Sequence, residues 1–346
     1  MNLEAALRDQ VARATGRPQH GAPVRSLKGD ASNRSYLRVG TWPDSLVVMV
    51  MPAQARASEE AAGSAVPEEL PFLDVHRYLA RLGIRVPAIY RHDEAAGMIV
   101  LEDLGDVTLE KALAARPPEE LYPAAVDLLA GLRAAAEAAP APASIAYRRA
   151  FDEELYLWEL HHFREWGLEA WSGKTPTASE RQEMEASFRD IAGRLAAAPR
   201  GFTHRDYQSR NLMVKDGELV VIDFQDALQG PRAYDLVALL RDSYVDLDEA
   251  LVEEMLRRYQ EALARSTGQP ADPAGFRRLF DLLTVQRKLK DAARFEFIHR
   301  VKKNPGFLPH IPLSLAYVRA AFQRLAGDAA VQTLRRVAAR YVPELQ

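Results

Sequence analysis

The chain has 346 residues, enough for two substantial folded parts, and its 48% hydrophobic and 27% charged content is that of an ordinary water-soluble globular protein. A net charge of -3 gives no long-range attraction to polyanions, so nucleic acid is a poor partner. Cysteine is absent, which excludes disulfides, thiolate metal sites and cysteine nucleophiles and suits a reducing, cytoplasmic setting.

The first segment, Met1 to Arg17, reads as an amphipathic helix interrupted by Glu4, Arg8, Asp9 and Arg13, without the apolar stretch of a secretory signal. Strand patterns follow at Val24 to Lys28, Ser35 to Val39 and Ser45 to Met51. A helix over Pro67 to Leu82, closed by Gly83, precedes two further strands at Ala88 to Arg91 and Met98 to Glu102. Strands, one helix, then strands predict a small antiparallel sheet with a helix against it. After Gly105 the chain turns to alanine- and leucine-rich helices, at Pro118 to Ala138, Asp152 to Trp171, Ser179 to Ala198, Asp246 to Arg265 and Pro273 to Phe297. Only the apolar runs Leu212 to Val214 and Glu218 to Phe224 interrupt them. Ala53 to Glu69 and the proline-rich Pro140 to Ser144 read as linkers. The expected architecture is α+β in two lobes: a β-rich, nucleotide-binding lobe over 1–104 and a helical, catalytic and acceptor-binding lobe over 105–346. No run reaches the roughly 18 apolar residues of a membrane span.

The chemistry concentrates in THRDYQSRNLMV, residues 203–214, followed by VVIDFQDA, residues 220–227. An H-R-D-x-x-x-x-N loop, an apolar strand and an Asp-Phe pair together form a phosphoryl-transfer pattern. Asn211 and Asp223 offer an amide oxygen and a carboxylate, the hard donors that Mg2+ arriving with ATP requires. Asp206, five residues before Asn211, suits the group that orients an acceptor hydroxyl and takes its proton. An ordinary aspartate, with a pKa of about 3.9, is too weak to deprotonate an alcohol in advance, so positioning must do most of the work. His204 is expected to be structural, bracing the loop against the Asp223 backbone. Asp235, after Gly230-Pro231, is expected to cap a helix or brace a loop. About ten residues separate Asp223 from the next helix, too few for the activation segment that holds a peptide, so the acceptor should be small. Asp226 is open between a second metal contact, a substrate contact and a turn.

In the β-rich part, the turn Lys28-Gly29-Asp30-Ala31-Ser32-Asn33, with Arg34 behind it, can cradle terminal phosphates through backbone N–H groups and the Ser32 hydroxyl. A simple hairpin turn is the competing reading. Backbone groups around Glu102, Asp103 and Leu104 are the expected adenine contacts at a hinge. The basic run Gln286 to Lys290 reads either as an acceptor-pocket lining, with Arg287 and Lys290 on one helix face, or as a solvated face paired to Asp291 and Glu296. Arg210 and Asp226 join Arg287 and Lys290 as candidate substrate contacts. Trp158, His161, His162 and Trp166 form either an aromatic floor for a sugar ring or core packing. Neighbouring histidines on a helix face apart, so a metal pair there is rejected.

HRDYQSRN, VIDFQDA and GPRAYDL resemble the aminoglycoside phosphotransferase and choline kinase superfamily. Within it, GDASNRSYLRV, PFLDVHRYLARLGIRVPAIY, DFQDALQGPRAYDL and QRKLKDAARF are similar to the bacterial anomeric kinases of N-acetylmuramate and N-acetylglucosamine, over roughly residues 24–325. The resemblance implies a protein-kinase-like fold, ATP with Mg2+, Asp206 as base, Asn211 and Asp223 as metal ligands, and an amino-sugar substrate in peptidoglycan recycling; a monomer is expected. One departure stands out. SLVVMVMP carries Met49, Val50 and Met51 where the wider superfamily presents a phosphate-binding lysine, leaving Lys28, Arg34 or Arg38 as replacements. That departure keeps a nucleotide-binding pseudokinase in view, beside other small-molecule kinases of the aminoglycoside or choline type.

Overall fold

The computed structural model describes residues 2–27, 34–51, 69–268 and 272–346. Helix α1 (Leu3–Thr15) is followed by strands β1 (Val24–Leu27), β2 (Ser35–Val39) and β3 (Leu46–Val50). Then come α2 (Pro71–Arg81), β4 (Ile89–Asp93), β5 (Met98–Glu102) and the single turn α3 (Leu109–Ala112). The helical part opens with α4 (Pro118–Ala138), α5 (Ile145–Arg148) and α6 (Glu153–His162), which runs into a π-helix at Phe163–Ala170, and then α7 (Ala178–Ala197). Four short strands follow: β6 (Arg200–Thr203), β7 (Leu212–Lys215), β8 (Glu218–Val221) and β9 (Leu228–Pro231). The chain ends in α8 (Tyr234–Leu240), α9 (Glu249–Thr267), α10 (Pro273–Lys302), α11 (Ile311–Arg324) and α12 (Ala329–Ala338). This is the expected α+β, kinase-like fold.

Two compact units are formed. Met1–Ala112 joins Asn211–Gln225 in the first, and Leu113–Arg210 joins Asp226–Gln346 in the second. The division therefore differs from a single cut after residue 104: the chain returns to the first unit for fifteen residues that include Asn211 and Asp223.

The first unit holds a five-stranded antiparallel sheet in the order β1-β2-β3-β5-β4. Its central pair, Val48 opposite Val100 and Met49 opposite Ile99, is buried on both faces, which is why these strands read as unbroken apolar runs. Leu7 and Val11 of α1 pack with Val39, Val48, Met98 and Val100 on one face. Each fully buried Leu or Val there contributes about 1.5–3 kcal/mol. Met49, in the strand segment that lacks the lysine, is buried too. Strands β7 and β8 form a hairpin whose Asp216-Gly217 turn has both residues at positive φ, as a two-residue type I′ connection requires. Leu104, Met213 and Val220 make a small core beneath it.

In the second unit α10 is the axis. Nearly every residue from Phe280 to Phe295 is buried, so its charged side chains face protein rather than water. Gly167 of the π-helix lies where an added Cβ would stand 3.3 Å from Ala293 Cβ, so the small residue permits the close crossing with α10. Strands β6 and β9 pair antiparallel, Phe202 opposite Gln229. Neither was expected: four residues ending in Pro231 carry no period. Helices α11 and α12 also lay beyond the expected set. No described helix is long and apolar enough to cross a membrane.

Candidate active site

The loop after β6 carries the H-R-D residues, and the second unit holds it from several sides. Thr203 ends the strand, and Arg205 then adopts φ 79°, a left-handed backbone that an L residue keeps only when its surroundings impose it. Asp235, near the start of α8, imposes it: its two carboxylate oxygens accept the His204 N–H at 2.7 Å and the Arg205 N–H at 2.9 Å. Beyond the end of α8, Asp242 accepts the Ser209 N–H at 2.9 Å and the Ser209 hydroxyl at 2.6 Å. Burial pushes both carboxyls above their ordinary pKa, opposed by these donors. Tyr207 anchors the loop by donating its hydroxyl to the Ala125 carbonyl at 2.9 Å. His204 accepts the Asp206 N–H on Nδ1 at 3.2 Å.

Asp206 thus projects from a rigid turn with 34% of its side chain accessible. Arg287 of α10 donates to Asp206 Oδ1 at 3.2 Å and to the Arg205 carbonyl at 2.7 Å. Burial works against the Asp206 charge, yet the Arg287 guanidinium, with Lys290, Arg205 and His204 behind it, outweighs burial and holds the carboxyl below its ordinary pKa. The group is a carboxylate at neutral pH.

Asn211 and Asp223 belong to the first unit, at the base and the end of the β7–β8 hairpin. Asp223 is exposed at φ 63°, another left-handed non-glycine residue. Asn211 Nδ2 lies 3.5 Å from Asp223 Oδ2, and Gln225 Nε2 donates to Asp223 Oδ1 at 2.9 Å. The Ile222 N–H donates to the Asn211 carbonyl at 3.0 Å and fixes the pair's register. Turned about its terminal bond, the Asn211 amide presents oxygen beside a carboxylate, a donor set suited to a hard divalent cation that keeps several waters.

The remaining expected residues fall as follows. Gly29, Asp30, Ala31, Ser32 and Asn33, with Lys28, lie outside the described residues, as does Ala53 to Glu69 apart from Glu69 itself. Arg34 hydrogen-bonds Tyr36, whose hydroxyl burial pushes above its ordinary pKa, against the pull of Arg34 and with the push of Asp223. Arg38 is not available for phosphate: it is buried, and its guanidinium bonds Asp103 at 2.5 and 2.8 Å and Asp106 at 3.0 Å. At the expected hinge, the Glu102 N–H donates to the Ala88 carbonyl at 2.8 Å. Its carboxylate receives Arg85 at 2.5 and 2.7 Å and Lys215 at 2.8 Å. The Asp103 carbonyl accepts Lys215 Nζ at 2.9 Å, and Leu104 is buried.

In the second unit Arg210 lies over the Tyr244 ring at 3.5 Å, Asp226 is half-buried, and Lys290 Nζ stands 3.1 Å from Asp291. The reading of 286–290 as a solvated face is overturned, because Gln286, Arg287 and Lys288 are buried and paired inside the protein. The aromatic segment divides by face. Phe151, Tyr156 and Phe163 enter the core, whereas Trp158 is exposed and stacked on His162, ring centroids 5.5 Å apart. His161 pairs instead with Glu185 at 2.8 Å. Sequence reasoning missed Ser209 and Asp242, whose contact spans 33 residues and leaves no local signal.

The profile of the APH phosphotransferase enzyme family matches residues 23–274. An N-acetylmuramate/N-acetylglucosamine kinase of Neisseria meningitidis is 32% identical over 323 residues, covering 92% of this chain and 91% of its own length. A protein of the same name from Pseudomonas aeruginosa is 34% identical over 311 residues, covering 88% and 85%. Among solved structures, a choline/ethanolamine kinase family protein from Mesorhizobium loti superposes with a TM-score of 0.60 at 16% identity, covering 96% of this chain and 99% of that one, a likeness of fold. With the family's profile spanning most of its length and relatives a third identical along nearly all of it, the chain belongs to the phosphotransferase enzyme family.

Proposed function

We propose that the protein is an ATP-dependent kinase that phosphorylates the anomeric hydroxyl of an amino sugar, N-acetylmuramate or N-acetylglucosamine, as the names of its relatives suggest. The observation that carries the chemistry is the ionised Asp206, held on a strained turn by Asp235 below and Arg287 behind. In the reaction the acceptor oxygen bonds to the γ-phosphorus of ATP as the bridging bond to ADP breaks, and the hydroxyl proton passes to Asp206. Because the Asp206 pKa is low, the proton moves late, as the new bond forms, and Asp206 works chiefly by orienting the hydroxyl. Asn211 and Asp223 are the residues that would hold Mg2+, which when bound neutralises charge developing on the transferring phosphoryl group. Gly29 to Arg34 would approach the phosphates and Glu102 to Leu104 the adenine, in a nucleotide-binding first unit. Lys290, Arg210 and Asp226 would meet the sugar, and Trp158 offers a flat apolar face to a ring. The setting is peptidoglycan recycling by a cytoplasmic monomer.

The test is turnover of ATP by purified protein against a panel of N-acetylmuramate, N-acetylglucosamine, choline and an aminoglycoside. The proposal expects release of ADP that depends on the amino sugars and disappears in Asp206→Asn. Turnover only with choline or the aminoglycoside points to another small-molecule kinase. Retained ATP binding with no acceptor-dependent turnover supports the regulator reading, which the missing strand lysine alone favours.

A further inference from the structure

Arg287 is among the largest fully buried side chains of the protein, with 1% of its side chain accessible. Three features define its surroundings. The guanidinium spans a backbone carbonyl, Arg205 O at 2.7 Å, and a carboxylate, Asp206 Oδ1 at 3.2 Å. The Tyr234 ring lies 5.0 Å from its carbon, an aromatic face that tolerates a cation without neutralising it. Its third edge, Nε, makes no hydrogen bond and stands 3.8 Å from Asp291. Asp291 is in turn shared with Lys288 at 2.7 Å and Lys290 at 3.1 Å, so one buried carboxylate faces three cations of the same helix. Asp206 and the buried Glu159 are the further carboxylates that act on Arg287.

We infer that Arg287 is the positioning residue of the kinase proposed above: it pins Arg205 in its left-handed backbone and aims the Asp206 carboxylate, and it does not bind the sugar. The two contacts explain why the residue is an arginine. A rigid fork can serve the carbonyl and the carboxylate together, whereas one ammonium on a flexible stem serves them less well. A sugar carboxylate could reach this guanidinium only by displacing both contacts and opening the core. The inference rests on the kinase reading for its assay, and its geometry belongs wholly to the second unit.

Arg287→Gln and Arg287→Lys separate positioning from substrate binding. In Arg287→Gln, kcat should fall about 10²-fold with both N-acetylglucosamine, which is uncharged, and N-acetylmuramate, which carries a lactyl carboxylate. The KM of either sugar should move by less than about threefold, because ground-state binding is untouched. Arg287→Lys should regain part of kcat, since the charge stays while the fork is lost. Circular dichroism and the thermal transition report folding, and if Arg287→Gln does not fold, a lowered kcat at constant KM in Arg287→Lys carries the inference. An unchanged kcat in a folded variant overturns it, and so does a KM rise confined to N-acetylmuramate. Should the wild type phosphorylate neither sugar, the kinase reading fails by itself, and the pair is then read from the 13C signal of the Asp206 carboxyl. Beside burial, Arg287, Lys290, Arg205 and His204 are the charged and titratable groups that act on it most. A titration midpoint that rises in Arg287→Gln upholds the clamp, and an unmoved midpoint overturns it.

Discussion

Glu102 offers the clearest quantitative test of how the hairpin bearing Asp223 is held in the first unit. Its carboxylate, with a tenth of the side chain accessible, accepts Arg85 at 2.5 and 2.7 Å, Lys215 of β7 at 2.8 Å and the Ala88 N–H at 3.0 Å. Burial alone would raise its pKa, but these four donors overcome that and lower it from 4.5 to about 2. A depressed carboxyl stabilises the fold above its unfolded pKa and loses that stabilisation as pH falls toward the folded value. A shift of this size corresponds to about 3 kcal/mol at pH 7 and about 2 kcal/mol at pH 3.5. Glu102→Gln keeps the shape and removes the titration. Urea unfolding of wild type and variant across pH 7 to 3.5 should therefore give a stability difference of about 3 kcal/mol that narrows by about 1 kcal/mol on acidification. A difference below about 1 kcal/mol at pH 7, within the range of an exposed ion pair, would refute the reasoning, as would one that does not change with pH.

Arg38→Met should cost about 3–5 kcal/mol in urea unfolding, because it leaves the buried Asp103 carboxylate without its main partner, and adding Asp103→Leu should restore much of that loss. Asp235→Asn opposes an amide N–H2 to one of two buried backbone donors, so stability should fall by about 2–4 kcal/mol and turnover with it. Unchanged turnover in that variant would remove Asp235 from the support of the loop. Gly201→Ala would set a methyl group 2.3 Å from the Arg133 guanidinium, itself buried against the Phe202 carbonyl, and should lower the unfolding midpoint by the equivalent of about 1–3 kcal/mol.

What could be read from the residues in advance followed the range of the interaction. The sheet of the first unit was visible because Leu46 to Val50 and Met98 to Glu102 are short apolar runs bounded by turn residues, and strand identity is a local property. The H-R-D-x-x-x-x-N loop and the hairpin ending in Asp223 stood out as a pattern because their spacing is local as well. The contacts that tune them did not. Arg287 reaches Asp206 across 81 residues, and Arg38 reaches Asp103 across 65, so nothing in either segment announces its partner. Helical charge spacing around Arg287 suited a wet surface equally well, and only packing of α10 on every side decided against it. The pairing of β6 with β9 was hidden for the same reason, since four-residue strands acquire their identity from each other.

The central claim is the transfer of phosphate to an anomeric hydroxyl with Asp206 receiving the proton. Phosphorus NMR of the product formed from ATP and N-acetylglucosamine tests it most directly. The account predicts a phosphate coupled to the anomeric proton, labile in mild acid, and absent when Asp206→Asn replaces the wild type. A phosphate on a ring or side-chain alcohol, or the same product at an undiminished rate from the Asp206→Asn protein, would contradict it.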